Sequence, residues 1–192
     1  MVQNALSNTE KAEWKVMDLG CGSGRDLAYL SIQNLKWKCY GIDSWKGSIS
    51  RCQQIFNNLG LESQLRKLYL MKFMRDGSLK DLLTGRNYFD YCKFDKIDNL
   101  FDFVVIIRFL VRENFEFVSK IVNPGGFLLI CTFINLPGVE YDSPKGVEHR
   151  LEPGELKEYF VNGLNFELID DSVGYIEDGR PVNCFLVRKS NV

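Results

Sequence analysis

A strand, a glycine-rich turn and the start of a helix follow one another within residues 16–30, and this segment constrains the fold most. The apolar run of the strand ends at Asp18, and helical spacing of leucines begins at Leu27. Between them lie three glycines at alternate positions: Gly20, Gly22 and Gly24. Glycine lets the backbone turn sharply and leaves no Cβ between the main chain and a ligand. Together with the free amide groups of a helix start, such a turn is typical of a site for a nucleotide-type ligand.

Alternating strand and helix patterns predict a parallel sheet. A second strand is predicted over residues 36–43 and a helix over residues 48–61. Strand–helix–strand alternation gives parallel pairing with a right-handed crossover, which places Asp43 at the same sheet edge as the glycine turn. Asp43 lies about 20 residues beyond the last glycine, the separation expected for a carboxylate that binds ribose hydroxyls. The alternative is that Asp43 only caps the following helix together with Ser44.

The rest of the chain continues this pattern. Further strands are predicted over residues 68–73, 100–107, 127–133, 166–169 and 181–187, and helices over residues 78–83, 114–122 and 152–160. Residues 88–95 fit either a strand extension or an ordered loop. The last two strands are joined by a glycine-containing turn, which predicts an antiparallel pair.

Residues 134–151 form a long loop rich in asparagine, proline, glycine and charged residues. A loop of this length inside a compact domain is more often functional than idle. It leaves the carboxyl end of a predicted parallel strand, where ligands bind in open α/β sheets. We therefore predict that it covers a bound substrate as a lid.

The composition is that of an ordinary globular domain. Of 192 residues, 45% are hydrophobic and 26% are charged. A chain of this length is typical of one domain, so we expect a single domain over residues 1–192 with a short polar lead at residues 1–13. The formal net charge of −1 argues against DNA as a partner, while a local basic patch stays open.

Cysteine and histidine usage argues against a metal site. Six cysteines include no C-x-x-C pair, and the chain has one histidine, so the spacing of the common zinc sites is absent. Several cysteines fall in predicted core strands, which suits a reduced compartment and a cytoplasmic location. No apolar run approaches the ~20 residues that cross a membrane, so we expect no membrane contact.

Several motifs together resemble those of class I S-adenosylmethionine-dependent methyltransferases. The D-x-G-x-G-x-G pattern at residues 18–24 is similar to the first motif of that family. Phe-Asp-x-Val at residues 101–104 resembles its fourth-strand motif, and V-N-P-G-G-F-L-L-I at residues 122–130 resembles its helix-to-strand turn. The segments G-C-G-S-G-R-D-L-A-Y-L, W-K-C-Y-G-I-D-S-W, I-I-R-F-L-V-R and E-H-R-L-E-P-G-E-L are similar to a small tellurite-resistance-type branch. The resemblance covers roughly residues 14–188 and is specific for fold and cofactor rather than for substrate.

The resemblance implies a fold and a cofactor. The fold would be a three-layer, Rossmann-like α/β sandwich with a seven-stranded, mostly parallel sheet and an antiparallel last strand. The cofactor would be S-adenosylmethionine, with Asp18 and the three glycines at its methionine part and Asp43 at its ribose. The acid that often reads the adenine amino group is displaced or absent here. A backbone contact from Phe73 or Met74 is one alternative, and Asp90 or Asp95 is another unless they belong to a solvated loop.

Two residues are candidates for catalysis on the acceptor side. Arg108 follows the fourth-strand motif, where the family places groups that face the transferred methyl, and an arginine there suits a carboxylate, phosphate or oxyanion acceptor. His149 is the one imidazole and could take a proton from an acceptor atom. The alternatives are an ion-pair network for Arg108 and a solvated loop position for His149. Further candidates on the acceptor side are Arg112, Lys145, Arg150 and, more weakly, Tyr141.

The sequence thus favours a methyltransferase that acts on a small, anionic or soft acceptor by in-line displacement, covered by a loop lid. An RNA or protein methyltransferase, with a partner subunit completing the site, is the second hypothesis. A non-catalytic adenosylmethionine-binding module is the third, and a NAD-dependent enzyme is a distant fourth.

Overall fold

One mixed sheet runs through the computed structural model, which describes residues 11–88 and 100–191. Its strands are β1 (Trp14–Leu19), β2 (Trp37–Asp43), β3 (Leu65–Phe73), β4 (Leu79–Asp81), β5 (Asn87–Tyr88), β6 (Phe101–Ile107), β7 (Val122–Phe133), β8 (Phe166–Tyr175) and β9 (Pro181–Lys189). The helices are α1 (Arg25–Gln33), α2 (Lys46–Asn58) and α3 (Phe115–Ile121), with 3₁₀ turns at Arg112–Asn114 and Val147–His149 and a π-helix at Lys157–Asn162.

The strand order is β5-β4-β3-β2-β1-β6-β7-β9-β8. β3, β2, β1, β6 and β7 are parallel to one another. β9 lies antiparallel to β7, and β8 pairs antiparallel with β9. The predicted α/β class, the mostly parallel sheet and the reversed last strand are therefore confirmed. The parallel order brings the carboxyl ends of β1, β2, β3 and β6 to one edge.

The sheet differs from the expected seven strands by one additional hairpin, β4–β5. The helix predicted over residues 78–83 was wrong, because the chain reverses after β3 and returns as a strand. The turn is fixed by Asp76, whose carboxylate accepts hydrogen bonds from the Ser78 amide at 2.9 Å and the Ser78 hydroxyl at 2.6 Å. Leu79 is then fully buried in the core. This tertiary burial overrides the helical preference of the local sequence.

Two other expected elements took different forms. The helix expected over residues 152–160 is largely the π-helix Lys157–Asn162. Of the ambiguous residues 88–95, only Tyr88 is described, as the end of β5. Asp90 and Asp95, the alternative adenine contacts, lie outside the described residues.

Hydrophobic clusters cover both faces of the sheet. On one face, Phe56 of α2 and Leu27 of α1 pack with Phe103 of β6. On the other face, Val118 of α3 and Phe160 of the π-helix belong to the second cluster. β6 lies between the two layers and is buried at six successive positions, as expected for a central strand. None of the helices described here has the length and hydropathy of a membrane-spanning helix.

The structure joins Cys131 to Cys184 by a disulfide bond, which differs from the expectation of reduced cysteines. The two residues are directly opposite each other in the β7–β9 register, with Cα atoms 4.2 Å apart. Sequence spacing could not reveal this pair, because 53 residues separate the two cysteines. Cys21, Cys39 and Cys52 are free and buried.

The hairpin yields a stability prediction. Because Leu79 is fully buried and Leu83 is 78% exposed, we expect Leu79→Ala to lower the free energy of unfolding by about 2–4 kcal/mol. Leu83→Ala, the matched control, should change it by less than about 0.5 kcal/mol. Urea denaturation followed by circular dichroism measures both values. Equal, small losses in the two variants would show that β4 is not part of the core.

Candidate active site

The glycine turn after β1 has a conformation that only glycine adopts without strain. Gly20, Gly22 and Gly24 have φ angles of +80°, +53° and +79°. A Cβ on Gly24 would lie 2.3 Å from the Cys52 sulfur, so this glycine is required for packing against α2. A Cβ on Gly22 would meet no atom of the described residues within 4 Å. The backbone at Gly22 therefore borders open space in which a ligand can approach the main chain.

The Asp43 carboxylate holds this turn in place. The Gly22 amide donates to Oδ2 of Asp43 at 3.0 Å, and the Trp45 amide donates to Oδ1 at 2.7 Å. The Gly20 and Cys21 amides each donate to the Ile42 carbonyl at 2.9 Å. Asp43 thus binds the backbone just before α2 and joins the end of β2 to the glycine turn, but it is not a helix cap: the N-cap residue is Trp45, and no side chain caps the first turn.

Asp18 is a buried carboxylate whose charge no residue of the described part of the chain compensates. It is 2% exposed, and burial raises its pKa from 3.8 to about 8, with further contributions from the charges of Asp26 and Asp43. Each of these influences disfavours the ionised form. A cationic group bound at the glycine turn would stabilise the ionised form of Asp18 against burial and against the charges of Asp26 and Asp43. The donor set therefore fits a ligand that carries a positive charge near Asp18.

A cavity of about 350 Å³ opens beside the glycine turn at the carboxyl edge of the sheet. Its lining consists of residues from the turn after β1 and from the ends of β2, β3 and β6: Gly20, Ile42, Asp43, Ser44, Met71, Lys72, Phe73, Arg108, Phe109 and Val111. Three predicted site residues, Asp43, Phe73 and Arg108, therefore lie around one space with Gly20. Lys72 and Phe109 were not predicted as site residues. Phe109 packs so closely on Gly20 that a Cβ there would lie 2.8 Å from its ring.

The end of β3 distinguishes between the two predicted backbone contacts. Both backbone groups of Met74 are used in the turn, because its amide donates to Ser78 at 2.9 Å and its carbonyl accepts from Gly77 at 3.1 Å. The Phe73 ring packs against Phe109 and Phe117, with centroid distances of 5.6 and 6.1 Å. Phe73 lines the cavity whereas Met74 does not, so Phe73 stays the prediction for the adenine contact.

Arg108 has a strained backbone. Its φ of +53° lies in the left-handed region, and it is the one non-glycine residue with a positive φ in the described part of the chain. The Arg108 amide donates to the Cys131 carbonyl at 2.8 Å, which continues the β6–β7 ladder. Its side chain is exposed and lines the cavity. Strain of this kind, of order 1–3 kcal/mol, concentrates at functional sites.

Arg112 binds other parts of the protein through its guanidinium group. It forms an ion pair with Glu155, with Nε–Oε1 and Nη2–Oε2 distances of 2.5 and 2.8 Å. It also donates to the carbonyls of Glu148 and Arg150 at 2.5 and 2.6 Å. Glu155 lies 43 residues away in sequence, so local spacing could not reveal this pair. Arg112 therefore fastens the end of the long loop to the segment after β6.

Residues 134–151 form an Ω-loop, whose two ends meet at a bridge between Ile134 and Leu151. The Asn135 amide donates to the Leu151 carbonyl at 2.8 Å, and Leu151 donates back to Phe133 at 2.8 Å. Tyr141 donates through its hydroxyl to the Ile134 carbonyl, and Arg180 donates to Ser143. The Ω-loop is thus an ordered element anchored beside β6 and β7.

The remaining acceptor-side candidates lie on the Ω-loop and do not line the cavity. The His149 side chain is 61% exposed and lies 3.6 Å from Glu148. Lys145 is exposed as well. Arg150 is 8% exposed and stacks over Tyr141, with its guanidinium carbon 4.2 Å from the ring centroid. The structure therefore brings Arg108, but not His149, to the cavity.

Cys21, inside the glycine turn, is not a nucleophile. A hydrogen bond with Cys52 and burial raise the pKa of its thiol well above the ordinary value, so the reactive thiolate does not form near neutral pH. Its side chain packs against Gly41, where a Cβ would lie 2.9 Å from the Cys21 sulfur. The described residues also contain no cluster of three or more histidine, cysteine or acidic side chains that could hold a metal ion.

Comparison with known proteins identifies the family. Residues 10–163 match the methyltransferase domain family. The chain belongs to this family. Membership confirms the resemblance to class I S-adenosylmethionine-dependent methyltransferases and, with it, S-adenosylmethionine as the cofactor that suits this fold.

This chain is also similar to one further protein in sequence and to two solved structures in fold. The uncharacterised protein UNK4.09 of Schizosaccharomyces pombe is 32% identical, with 91% of this chain aligned to 57% of that protein. The crystal structure of TehB from Haemophilus influenzae matches with a TM-score of 0.67 and 22% identity, over 98% of this chain and 60% of TehB. An S-adenosylmethionine-dependent methyltransferase from Thiobacillus denitrificans, solved with S-adenosylhomocysteine, has a TM-score of 0.61 and 14% identity over 97% of this chain and 88% of that one. The chain thus spans less than two thirds of UNK4.09 and of TehB.

The raised pKa of Asp18 yields a pH prediction. Because the pKa is higher in the folded protein than in the unfolded chain, the folded state binds the extra proton, and this stabilisation is lost as pH rises from about 4 to about 8. Asp18→Asn imitates the protonated form at every pH. At pH 8 we expect the ligand-free variant to unfold at a higher temperature than wild type, by roughly 2–4 °C for each kcal/mol that the variant adds to the free energy of unfolding. At pH 4 the two proteins should unfold at similar temperatures. The same variant should bind S-adenosylhomocysteine more weakly.

Thermal scans without ligand at the two pH values and calorimetry with S-adenosylhomocysteine provide these measurements. A variant that is less stable than wild type at pH 8 would contradict the assignment of Asp18 as an uncompensated buried acid.

Proposed function

We propose that this chain transfers a methyl group from S-adenosylmethionine to a small acceptor that carries a negative charge. One observation carries the proposal: the glycine turn, Asp43 and Arg108 surround a single cavity at the carboxyl edge of the sheet, in a chain that belongs to a methyltransferase family.

The donor would be held by the end of β1 and the end of β2. Asp18 and the backbone surface at Gly22 suit the methionine part, because every influence on the Asp18 pKa disfavours its charge and Gly22 leaves open space at the backbone. Asp43 suits the ribose, since a carboxylate accepts hydrogen bonds from vicinal hydroxyls beyond the two amides that it already binds. Phe73 would lie at the adenine end.

The acceptor would be held by the segment after β6. S-adenosylmethionine supplies a methyl group already activated on a sulfonium, so the protein mainly has to position the acceptor for in-line displacement and exclude water. Arg108 is the cation on this side of the cavity, and its planar guanidinium suits a carboxylate, phosphate or other oxyanion. Phe109, packed over Gly20, would keep water from the reacting atoms.

The Ω-loop would act as the cover of the acceptor. It leaves β7, the strand next to β6, and Arg112 ties its end to the segment that carries Arg108 and Phe109. His149 is proposed as a proton acceptor that reaches the substrate only when the Ω-loop moves over the cavity. An RNA acceptor is less well supported, because Arg112 is paired with Glu155 and Arg150 is buried, so neither contributes to a free basic patch.

Donor binding tests the cofactor assignment. By isothermal titration calorimetry we expect wild type to bind S-adenosylmethionine and S-adenosylhomocysteine but not NAD. Asp43→Ala should weaken S-adenosylhomocysteine binding at least tenfold, about 1.4 kcal/mol, because it removes the ribose acceptor and frees the glycine turn. Glu62→Ala, an exposed acid away from the cavity, is the control and should bind like wild type.

Thermal midpoints without ligand establish that the Asp43 variant is folded. If wild type binds neither S-adenosylmethionine nor S-adenosylhomocysteine, the methyltransferase assignment is overturned. If it binds NAD alone, the assignment changes to a NAD-dependent enzyme. An unchanged dissociation constant in Asp43→Ala would remove the ribose assignment.

Replacing Arg108 by glycine distinguishes a structural role of this residue from a role in binding the acceptor, because stability and anion binding should change in opposite directions. Arg108→Gly removes the guanidinium but relieves a left-handed conformation that costs about 1–2 kcal/mol in a residue with a Cβ. We expect this variant to be at least as stable as wild type, yet to bind inorganic phosphate more weakly when loaded with S-adenosylhomocysteine, by about threefold or more. Arg86→Met, which removes an exposed arginine outside the cavity, should change neither property. Phosphate affinity that is the same in Arg108→Gly and wild type would contradict the anion-binding role.

A further inference from the structure

Lys72 lines the cavity at the end of β3, the end that the proposed donor site assigns to the base and where the family resemblance leads us to expect an acid. It is the second-last residue of β3 and lines the cavity with an exposed side chain. Among the described residues that line the cavity, Asp43 is the one carboxylate. The nearby acid Asp76 is used in the β3–β4 turn, where it accepts two hydrogen bonds from Ser78.

The strand order places Lys72 on the side of the base and not of the acceptor. β3 lies next to β2, which carries Asp43, whereas β6, which carries Arg108, lies two strands beyond β2 on the other side of β1. With neighbouring strands about 4.8 Å apart, Lys72 is roughly 5 Å from the ribose-binding strand and roughly 14 Å from the strand of Arg108. Lys72 and Arg108 therefore serve different parts of the bound molecules.

Packing does not explain a lysine at this position. Lys72 lies directly opposite Lys80 in the β3–β4 register, and like charges directly opposite on antiparallel strands destabilise the pair. No carboxylate in the described part of the chain forms an ion pair with Lys72. A ligand with hydrogen-bond acceptors at this end of the cavity would offset the repulsion between Lys72 and Lys80 and would give the Lys72 ammonium group a partner.

The chemistry of lysine determines which atoms of a purine it can bind. An ammonium group has three donors and no acceptor, so it cannot receive the hydrogen bond of the adenine 6-amino group. It can donate to ring nitrogens such as N7. On a 6-oxopurine it can donate to both O6 and N7, the pattern that lysine binds on guanine.

We propose that Lys72 binds the acceptor atoms of the donor's purine base, so that the cavity does not require a 6-amino group and takes a 6-oxopurine as well as adenine. This inference rests on the proposed function, because it describes the donor site of the same reaction. It gives the cavity a base preference different from that of a site with an acid at this position.

Calorimetry with S-adenosylhomocysteine and S-inosylhomocysteine tests the proposal. Wild type should bind the inosyl compound at least as well as the adenosyl compound, or within about fivefold of it. Lys72→Met should weaken the inosyl compound by about fivefold or more, because O6 loses its donor. Lys72→Glu should prefer the adenosyl compound by about tenfold or more, because a carboxylate accepts from the 6-amino group and repels O6.

Lys80→Met is the matched control, since it removes the opposite lysine without changing the lining of the cavity. It should keep the wild-type ratio of the two affinities. A wild-type preference for the adenosyl compound of more than about fivefold overturns the proposal, and so does an inosyl affinity that Lys72→Met leaves unchanged. The wild-type ratio decides even if a variant fails to fold. Failure of wild type to bind either compound would instead refute the proposed function.

Discussion

The Asp43 carboxylate connects the two loops on which the rest of the site depends. One oxygen accepts from the Gly22 amide and the other from the Trp45 amide, so a single side chain fixes both the glycine turn and the start of α2. The Gly20 and Cys21 amides, bound to the Ile42 carbonyl, add the backbone part of the same junction. The carboxylate at the end of the neighbouring strand therefore helps to determine the shape of the turn. An acid at this position thus serves the fold and the proposed ribose contact together.

Charges on the two sides of the cavity are separated in a way that suits the proposed reaction. Asp18 lies near the end of β1, outside the lining of the cavity, whereas Asp43, at the end of β2, and Arg108, after β6, both line it. The acids would attract the cationic donor, whereas the arginine would attract an anionic acceptor from the opposite side. The buried state of Asp18 and the left-handed backbone of Arg108 both cost stability in the ligand-free protein. Such costs at a site are typical of groups arranged for binding instead of for folding.

The sequence predicted the features that depend on short-range patterns. The glycine turn and the acid at the end of β2 follow from local spacing and from the rules for parallel crossovers, and the antiparallel pairing of the last two strands follows from the turn between them. Features that depend on contacts between distant segments could not be predicted. Glu155 as the partner of Arg112 and Cys184 as the partner of Cys131 are set by the three-dimensional arrangement of strands that are far apart in sequence.

The hairpin after β3 shows the same limit, because its helical pattern yields to burial of Leu79. Lys72 carried no sequence signal as a site residue, since a lone lysine at a strand end is usually solvated. Its relevance follows only from the cavity that it lines and from Lys80 opposite it. For His149 the order is reversed. Its imidazole suggested a catalytic role from the sequence, but the structure places it at an exposed position on the Ω-loop.

A crystal structure with bound S-adenosylhomocysteine tests the central claim most directly. The account predicts the homocysteine part against Gly20–Gly24 with its amino group near Asp18, the ribose hydroxyls on Asp43, and the base beside Phe73. It also predicts the sulfur on the side of the cavity that faces Arg108. A ligand bound elsewhere on the protein, or one in this cavity without contact to Asp43, would contradict the account.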